Sequence, residues 1–390
     1  MGTLFSISEF AEKIGINEAT LRNWHKNGAL IPAHISPGGH RYYNQEQYLE
    51  MTNQSKYKSG NGSVLDTVSG VVLITGATGS LGHELINEIA PIAKKVIVYS
   101  RDELKQAYMK NKFAKYNNIR YFVGDIRDKN RLNTAFRGVD TVIHAAALKR
   151  VETCTYNPTE GVNTNINGTI NVAEACIENN VARALFVSSD KAAQPILPYG
   201  YMKAMAESCW INFNNYSGGR TKFMATRYGN IINSNGSFYH MIVEQKKTGK
   251  IKITDPNMSR FYMTLKDAVN LNLFALANSV SGEIFIPKIK SASIMDFVEA
   301  FGENYPVENI GMRGVEKLAE CLIAEHEMPY TYECGNYFKV LPPHISEDGL
   351  GWDKNRPKEK PIESFKYTSD SDKVEKLTAE DLKNMISNGT

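Results

Sequence analysis

The chain has 390 residues, a net charge of +3, and 22% charged and 42% hydrophobic side chains. This length predicts two or three domains, and the composition is that of an ordinary globular protein. The small, dispersed charge favours no particular partner for the chain as a whole. No apolar run reaches the roughly 20 residues that a membrane helix needs. The first residues also lack the pattern of a signal peptide, so we expect a cytoplasmic protein without a membrane partner.

Cysteine usage points to the same compartment. The five cysteines are widely spaced and form no Cys-x-x-Cys pair. This favours free thiols in a reducing environment over a disulfide framework. No spacing typical of a metal site is visible, so we expect no metal.

Residues 1–54 predict a small helical domain. A capped helix over 6–15 is followed, after a tight connection, by a second helix over 16–28, which makes a helix-turn-helix. Residues 37–43 then predict a turn and a short strand, and a further helix is expected near 45–51.

This order resembles the winged helix-turn-helix of the MerR family. The matching pieces are Ile-x-x-Phe-Ala in the first helix, Thr-Leu-Arg-Asn-Trp in the second and Pro-Gly-Gly-His-Arg-Tyr in the wing. The resemblance implies a second helix in the major groove and basic wing residues on phosphates. The candidate DNA-binding residues are Thr20, Arg22, Asn23, Lys26, His40 and Arg41. Acidic and basic residues nearly balance here, so a protein-docking or oligomerising module stays open as the alternative.

A glycine-rich turn follows the Ser/Gly/Lys-rich residues 55–69, which predict a flexible linker. The apolar strand 71–75 leads into this turn, and an amphipathic helix leaves it. Such a strand–turn–helix binds the pyrophosphate of a dinucleotide at the helix N-terminus. The predicted cofactor-binding residues of the turn are Gly76, Ala77, Thr78, Gly79, Ser80, Leu81 and Gly82. The glycine spacing resembles that of the extended short-chain dehydrogenase/reductases.

The end of the next strand selects the cofactor. An acidic residue there would hold the ribose 2′-hydroxyl of NAD. This chain has Ser100 and Arg101 instead, with Lys105 one turn later, and these side chains suit the 2′-phosphate of NADP. Because Asp102 follows directly, NAD stays open as the alternative.

The third and fourth strands predict further cofactor contacts. Asp125 could accept a hydrogen bond from the adenine amino group, with Ile126 beside the ring. The small residues Ala145 and Ala147 at the end of the fourth strand let a cofactor lie close. Asn165, on the following helix, is where this superfamily keeps an asparagine that shapes the active site; an internal helix hydrogen bond is the alternative.

A cluster of proton-transferring groups follows the fifth strand. Ser189, Asp190 and Lys191 stand at its carboxyl end, and Tyr199 and Lys203 lie one helical turn apart. Such groups can abstract and donate protons in turn. We therefore predict a catalytic site there, and count Tyr199 and Lys203 among the cofactor contacts as well.

The chain is predicted to be an α/β protein. A Rossmann-type doubly wound parallel sheet over 70–230 carries a small α/β substrate lid over 231–345, interleaved with the Rossmann domain. A small α-helical winged helix-turn-helix domain precedes them, and a C-terminal tail with a short helix occupies 346–390.

From about residue 71 to 385 the chain resembles the inverting UDP-N-acetylglucosamine 4,6-dehydratases of the CapD/polysaccharide-biosynthesis group. The matching blocks, in order, are Thr-Gly-Ala-Thr-Gly-Ser-Leu-Gly (75–82), Tyr-Ser-Arg-Asp-Glu-Leu-Lys-Gln (99–106), Gly-Asp-Ile-Arg-Asp (124–128), His-Ala-Ala-Ala-Leu-Lys (144–149), Ser-Asp-Lys-Ala-Ala (189–193), Arg-Tyr-Gly-Asn (227–230), Ile-Thr-Asp (253–255) and Gly-Glu-Ile-Phe-Ile-Pro-Lys (282–288).

The resemblance implies the chemistry. Tyr199, with its pKa lowered by Lys203, would take the 4-OH proton while hydride passes to NADP. Lys191 would remove the C5 proton, and Asp190 would protonate the departing 6-OH. Reprotonation of C5 from the opposite face would give a 4-keto-6-deoxy-L-hexosamine for glycan biosynthesis. Related dehydratases that retain the C5 configuration carry glutamate where Lys191 stands.

The resemblance also implies a UDP-sugar site and a homo-oligomer. The predicted substrate-binding residues are Lys149, Asn230, Thr254, Arg260, Arg313 and Glu316. Two other functions remain: a DNA-binding regulator that only senses NADP, and a UDP-sugar epimerase or C4 reductase. The intact catalytic cluster disfavours the first, and Lys191 beside Asp190 disfavours the second.

Overall fold

The structure, a computed structural model, describes residues 4–14, 18, 21, 22, 25, 30–44, 64–234, 236–301, 305–312, 316–341, 361–363 and 365–388. The chain divides into two compact units, Met1–Asp66 and Thr67–Thr390.

The first unit packs a helix on a small antiparallel sheet. Strand β1 (Leu4–Ser6) leads into helix α1 (Ile7–Ile14), and β2 (His34–Ile35) and β3 (Arg41–Asn44) complete the sheet in the order β1-β3-β2. Its core includes Phe10, whose ring stacks on that of Tyr43 at a centroid distance of 4.4 Å.

The predicted elements of this unit are partly described. The helix after Ser6 and the strand after the glycine turn are confirmed. Of the second helix, residues 18, 21, 22 and 25 are helical, and its remaining residues fall outside the described ones, as does the helix expected near 45–51.

The second unit is an α/β structure. Its strands are β4 (Val71–Thr75), β5 (Lys95–Ser100), β6 (Ile119–Val123), β7 (Thr141–His144), β8 (Arg183–Val187), β9 (Lys222–Thr226), β10 (Asn230–Ile231), β11 (Ile251–Ile253), β12 (Ser259–Met263), β13 (Ile284–Pro287), β14 (Ser291–Ser293), β15 (Val307–Asn309), β16 (Cys321–Ile323), β17 (Thr331–Cys334), β18 (Tyr337–Val340) and β19 (Tyr367–Thr368).

The helices after α1 are α2 (Val64–Val68), α3 (Ser80–Ile89), α4 (Glu103–Lys112), α5 (Lys129–Ala135), α6 (Val151–Tyr156), α7 (Pro158–Gly161), α8 (Gly168–Glu178), α9 (Pro198–Ser217), α10 (Phe238–Lys246), α11 (Leu265–Asn278), α12 (Ile294–Glu299) and α13 (Ala379–Asn388). A π-helical segment (Val162–Asn167) joins α7 to α8, and 3₁₀ turns span Asp190–Ala192 and Glu325–Tyr330.

The main sheet confirms the predicted doubly wound fold. Within the described residues it has nine strands in the order β17-β18-β13-β9-β8-β7-β4-β5-β6. The strands from β13 to β6 in this order run parallel, and β17 and β18 are antiparallel additions at one edge. The strand order reverses between β4 and β7, so a crevice opens there at the carboxyl ends.

Helix α9 is fixed to the sheet by Trp210. Its indole nitrogen donates to the carbonyls of Met224 (3.0 Å) and Ala184 (3.3 Å), and its ring packs edge-on against Phe223. Trp210 is fully buried. This anchor in the middle of α9 sets where the N-terminal turn of the helix lies relative to the strand ends.

Residues after β9 form smaller sheets, β10-β12-β14, β11-β15 and β16-β19. The C-terminal segment contributes to them, since β19 pairs with β16 and Leu382 of α13 is fully buried in an apolar cluster. Thr378 caps α13 reciprocally with Asp381, and the helix confirms the short helix predicted in the C-terminal tail. Among the described residues, no helix combines the length and apolar character needed to cross a bilayer.

Candidate active site

The glycine turn requires glycine at two of its positions. Gly76 has φ +66°, and a Cβ there would come within 2.8 Å of the Ala146 backbone. A Cβ at Gly82 would overlap the Ala77 carbonyl. The turn therefore brings β4, β7 and the N-terminus of α3 together as closely as backbone allows, which is the arrangement that receives a pyrophosphate.

A cavity of about 770 Å³ opens at this crevice. Most of the predicted cofactor residues line it: Gly76, Thr78, Gly79, Ser80, Leu81, Gly82, Ser100, Arg101, Asp102, Lys105, Ile126, Ala145 and Ala147. Ala77, Asp125 and Asn165 do not line it. All five predicted catalytic residues do, together with Lys149 and Asn230.

The end of β5 presents cations to the cavity. Arg101 and Lys105 have exposed side chains, and the Arg101 guanidinium lies 3.6 Å from an Asp125 carboxylate oxygen. The carboxylate of Asp102 accepts the backbone N–H of Lys105 and so caps helix α4. This capping role, which lowers the pKa of Asp102, gives the acidic residue a structural reason to be there.

The carboxylate of Asp125 is bound by a neighbouring arginine and does not line the cavity. Its carboxylate accepts two hydrogen bonds from the Arg127 guanidinium, at 2.7 and 3.0 Å. Burial opposes ionisation, but the Arg127 hydrogen bonds and charge lower the pKa of Asp125 overall. The adenine contact expected of Asp125 stays a prediction.

Asn165 clamps the loop after β7. Its side chain accepts the backbone N–H of Leu148 at 2.8 Å and donates to the Leu148 carbonyl at 2.9 Å. These bonds are not the internal helix bond that was the alternative. They fix the loop that carries Lys149 into the cavity, where burial and the neighbouring Arg150 lower the Lys149 pKa.

The catalytic cluster forms where β8 ends and α9 begins. After Val187 the chain turns through the 3₁₀ segment, and Ser189 donates to Asp190 at 2.7 Å. The Lys191 ammonium lies 3.2 Å from the Asp190 carboxylate, which is 2% exposed. Strand end and helix start thus bring the predicted groups together at the cavity.

Lys203 is buried below Tyr199. Its amine donates to the Val187 carbonyl at 2.7 Å and lies 4.0 Å from the centroid of the Phe186 ring. Burial lowers its pKa to about 7, against the opposing charge of Glu207 one turn later. The amine is therefore close to losing its charge at neutral pH.

The expected lowering of the Tyr199 pKa by Lys203 is wrong for this structure. Burial raises the pKa of Tyr199 to about 12, and the cation that opposes this rise is Lys191. Lys203 does not lower the Tyr199 pKa because its amine donates to the Val187 carbonyl and, with a lowered pKa itself, carries less positive charge. Tyr199 is thus a neutral phenol at neutral pH.

A second carboxylate that was not predicted faces Lys191. Glu320, 4% exposed, places an oxygen 3.5 Å from the Lys191 ammonium. Burial alone would lower the pKa of Lys191, but the carboxylates of Asp190 and Glu320 raise it above its ordinary value.

Buried hydroxyls are a further feature that was not predicted. Ser188, Thr164 and Tyr262 line the cavity, and their hydroxyls have no hydrogen-bond partner within the described part of the chain. Each of them can bond to a ligand. The predicted site residues Ser189 and Asn165 adjoin Ser188 and Thr164 in the chain and so pointed to this part of the site. Nothing in the sequence pointed to Tyr262.

Three further predicted substrate residues lie outside the lining of the cavity. Arg260 donates to the carbonyls of Ser259, Lys317 and Leu318, at 2.7 to 3.1 Å. The Thr254 hydroxyl donates to the Met258 sulfur. Thr254, Arg260 and Glu316 do not line the cavity, and Arg313 lies outside the described residues. Their substrate contacts stay predictions.

In the first unit, the described candidate cations have partners. The Arg22 guanidinium lies 2.6 Å from Glu18, and the Arg41 guanidinium donates to His25 at 2.9 Å. His40 is exposed in the wing. Thr20, Asn23 and Lys26 lie outside the described residues. Across the described parts of both units, no group of histidine, cysteine or acidic residues could hold a metal, and the five cysteines are free.

The sheet order, the glycine turn at its switch point and the Tyr199/Lys203 pair define a dinucleotide-binding protein of the short-chain dehydrogenase/reductase class. Residues 72–342 match the model of the polysaccharide biosynthesis protein family, and the chain belongs to that family. Residues 6–43 match the model of the MerR family of regulatory proteins, as the sequence predicted.

Relatives and solved structures agree with this assignment. A Campylobacter jejuni protein named UDP-N-acetylglucosamine 4,6-dehydratase (inverting) is 43% identical over 277 residues, 70% of this chain and 82% of the relative. A Rickettsia akari protein named UDP-glucose 4-epimerase is 37% identical over 284 residues, 70% and 83% of the two chains. The structure of Pen from Bacillus thuringiensis gives a TM-score of 0.74 at 35% identity, covering 82% of this chain and 98% of that one.

Proposed function

We propose that the protein is an NADP-dependent UDP-N-acetylglucosamine 4,6-dehydratase, a lyase that inverts C5 and supplies a UDP-4-keto-6-deoxy-L-hexosamine for glycan biosynthesis. The observation that carries the proposal is the contact of Asp190 with Lys191 in the cavity that also holds Tyr199. The cluster provides an acid, a base and a phenol in one place, as dehydration with inversion requires.

The chain fits a nicotinamide dinucleotide. The turn at Gly76 leaves room for backbone contact with a pyrophosphate, and the hydroxyls of Ser188 and Thr164 line the cavity with no hydrogen-bond partner among the residues that the structure describes. A bound nicotinamide would supply the hydride acceptor and donor that oxidation at C4 and reduction at C6 of the sugar need. The 2′-phosphate of NADP suits Arg101 and Lys105, whereas Asp102 serves α4 as a cap.

Tyr199 begins the reaction by taking the 4-OH proton. As a buried neutral phenol it becomes a base only once it gives up its own proton, and the Lys191 charge favours that loss by opposing the rise in the Tyr199 pKa. The 4-keto group that results acidifies C5 and prepares the elimination.

Asp190 and Lys191 then complete the dehydration. A proton shift across the 3.2 Å contact turns the ion pair into a neutral acid and a neutral amine. The amine takes the C5 proton, the acid protonates the departing 6-OH, and water leaves. The pair returns to the charged form, so its own protons balance, and C5 then takes a proton from solvent on the opposite face.

A UDP-sugar 4-epimerase is the second candidate, because several relatives carry that name. An epimerase needs a base at O4 and no acid at O6. Asp190 and Lys191 together favour dehydration. Lys191→Ala should stop exchange of the C5 proton with solvent deuterium in a dehydratase, whereas it should leave C4 epimerisation in place in an epimerase.

The experiment that decides is incubation of the protein with NADP and UDP-N-acetylglucosamine, followed by proton NMR of the sugar. A new 6-methyl signal with an L-configured C5 is expected. An unchanged sugar, or a C4 epimer alone, would sink the dehydratase proposal.

We also propose that residues 1–54 bind DNA through Arg22, Arg41 and His40, with Thr20, Asn23 and Lys26 alongside. The MerR match supports this. Because Arg22 pairs with Glu18, Glu18→Gln should tighten binding in a low-salt gel shift and Arg22→Ala should abolish it. No shift with any fragment would favour a docking role instead. We propose a cytoplasmic homo-oligomer, which light scattering would test.

A further inference from the structure

Glu320 joins the catalytic cluster to the rest of the second unit. One of its carboxylate oxygens lies 3.5 Å from the Lys191 ammonium and 4.0 Å from the Arg260 guanidinium. The other lies 3.6 Å from the Lys317 ammonium and has no hydrogen bond within the described residues. A single buried carboxylate thus faces three cations.

The position of Glu320 is set by the C-terminal segment. Its backbone N–H donates to the Ser369 hydroxyl at 3.0 Å, and its carbonyl accepts from the Ser369 N–H at 2.9 Å. The same hydroxyl donates to the Ser259 carbonyl at 3.0 Å. Strand β16 starts at the next residue and pairs with β19. Glu320 is therefore held by backbone and side-chain bonds at a fixed distance from the sheet edge.

Two carboxylates contact the Lys191 ammonium, Asp190 at 3.2 Å and Glu320 at 3.5 Å. Among the described residues, the groups whose charge acts on its amine are Asp190, Glu320, Arg260 and Tyr199. Asp190 is the adjacent residue in the chain, and Arg260 is a like charge. Glu320 is the carboxylate that ties the lysine to a distant part of the chain, and its charge offsets the repulsion from Arg260.

We propose that Glu320 is a positioning residue for Lys191: it fixes the direction of the lysine side chain beside Asp190 and stabilises its charged form. This rests on the proposed function for the part Lys191 plays as a base. When the amine takes the C5 proton, the resulting ammonium lies between two carboxylates. Glu320 thereby makes Lys191 a stronger base without touching the substrate.

The test is a direct titration of Lys191 in the full chain. Protein labelled with ¹³C at lysine Cε is followed by NMR from neutral to high pH, and the Lys191 resonance is identified by its loss in Lys191→Arg. We expect Glu320→Gln to move the Lys191 midpoint to lower pH. Glu325→Gln is the control: it changes an exposed carboxylate just after the end of β16 and should leave the Lys191 midpoint unchanged.

Two further variants keep the test decisive if Glu320→Gln folds poorly. Glu320→Asp keeps the charge at a shorter reach, and Ser369→Ala removes the bond to the Glu320 backbone; both should move the midpoint less, in the same direction. A Lys191 midpoint that is the same in wild type and in all folded variants would overturn the proposal.

A measurement of C5 proton exchange distinguishes failure of this proposal from failure of the proposed function. We expect Glu320→Gln to slow exchange of the C5 proton with solvent deuterium by about tenfold to hundredfold, and Glu320→Asp to recover part of the rate. If wild type shows no exchange, the proposed function fails, while a shifted Lys191 midpoint would still support the contact with Glu320.

Discussion

Arg227 binds Glu207 in the interior of the protein. Glu207 lies on α9, one helical turn after Lys203. The guanidinium, 2% exposed, bonds to both oxygens of Glu207 on α9 and, from the other side, to Glu327 and the Leu322 carbonyl. It joins the helix of the catalytic pair to the 3₁₀ turn that follows β16. The negative charge of Glu207 raises the Lys203 pKa, and the positive charge of Arg227 offsets it.

Removing this guanidinium should destabilise the second unit strongly. Arg227→Met leaves two buried carboxylates without their cation, and breaking a buried ion pair from one side costs about 3–5 kcal/mol. Thermal unfolding followed by near-UV circular dichroism measures the effect. As a control, Lys247→Met breaks an exposed pair with Glu244 and should cost less than about 1 kcal/mol. Equal losses in the two variants would contradict the assigned role.

Lys203 should make stability depend on pH. Its pKa is lowered from 10.5 to about 7 by burial, so between these values the unfolded chain binds a proton that the folded one does not. Folded-state stability contributed by this group therefore rises as pH increases through that window, and the penalty is complete below it. In the protein without added nucleotide, Lys203→Met should flatten the dependence of unfolding free energy on pH. Lys110→Met, at an exposed site of α4, should leave the slope unchanged.

The turn at Gly76 should tolerate no side chain. Gly76→Ala adds a Cβ 2.8 Å from the Ala146 backbone, so the strands must separate at the cavity floor. We expect NADPH to bind about tenfold or more weakly by calorimetry. Gly218→Ala is a matched control, since Gly218 also has positive φ but nothing lies near its Cβ position. It should cost about 1–2 kcal/mol of stability and leave NADPH binding intact; equal binding losses would point to backbone strain alone.

Arg101 should decide between the two dinucleotides. A charge-assisted contact to a 2′-phosphate is worth about 1.5–3 kcal/mol, so Arg101→Ala should weaken NADPH binding by about tenfold or more. NADH affinity should hardly change. Arg137→Ala, an exposed arginine away from the cavity, should alter neither. If NADH binds wild type as tightly as NADPH does, the preference for NADP is wrong.

Local patterns in the sequence were enough for the parts of the site that depend on local spacing. The glycine turn and the Tyr199/Lys203 pair each lie within one strand–helix connection, where backbone geometry follows from neighbouring residues. The parallel sheet follows from the alternation of apolar strands and helices. For these elements the residue order already contains the geometry.

Contacts between distant segments could not be predicted in this way. Nothing near Lys191 signals Glu320, and nothing near Arg227 signals Glu327, because each contact depends on how the smaller sheets pack on the main one. Arg260 shows the same limit, because its hydrogen bonds to the carbonyls of Lys317 and Leu318 join segments that lie far apart in the sequence. Burial likewise reversed the expected direction of the Tyr199 pKa shift.

The pairing of β16 with β19 bears on the order in which the protein can be completed during synthesis. Ser369 bonds to Ser259, 110 residues earlier in the chain. A nascent chain can form the glycine turn and the parallel strands well before Tyr367–Thr368 leaves the ribosome. The contacts that hold Glu320 near Lys191 cannot form until these late residues are available. A ribosome-bound chain that stops short of them should therefore hold the dinucleotide fold without a finished catalytic site.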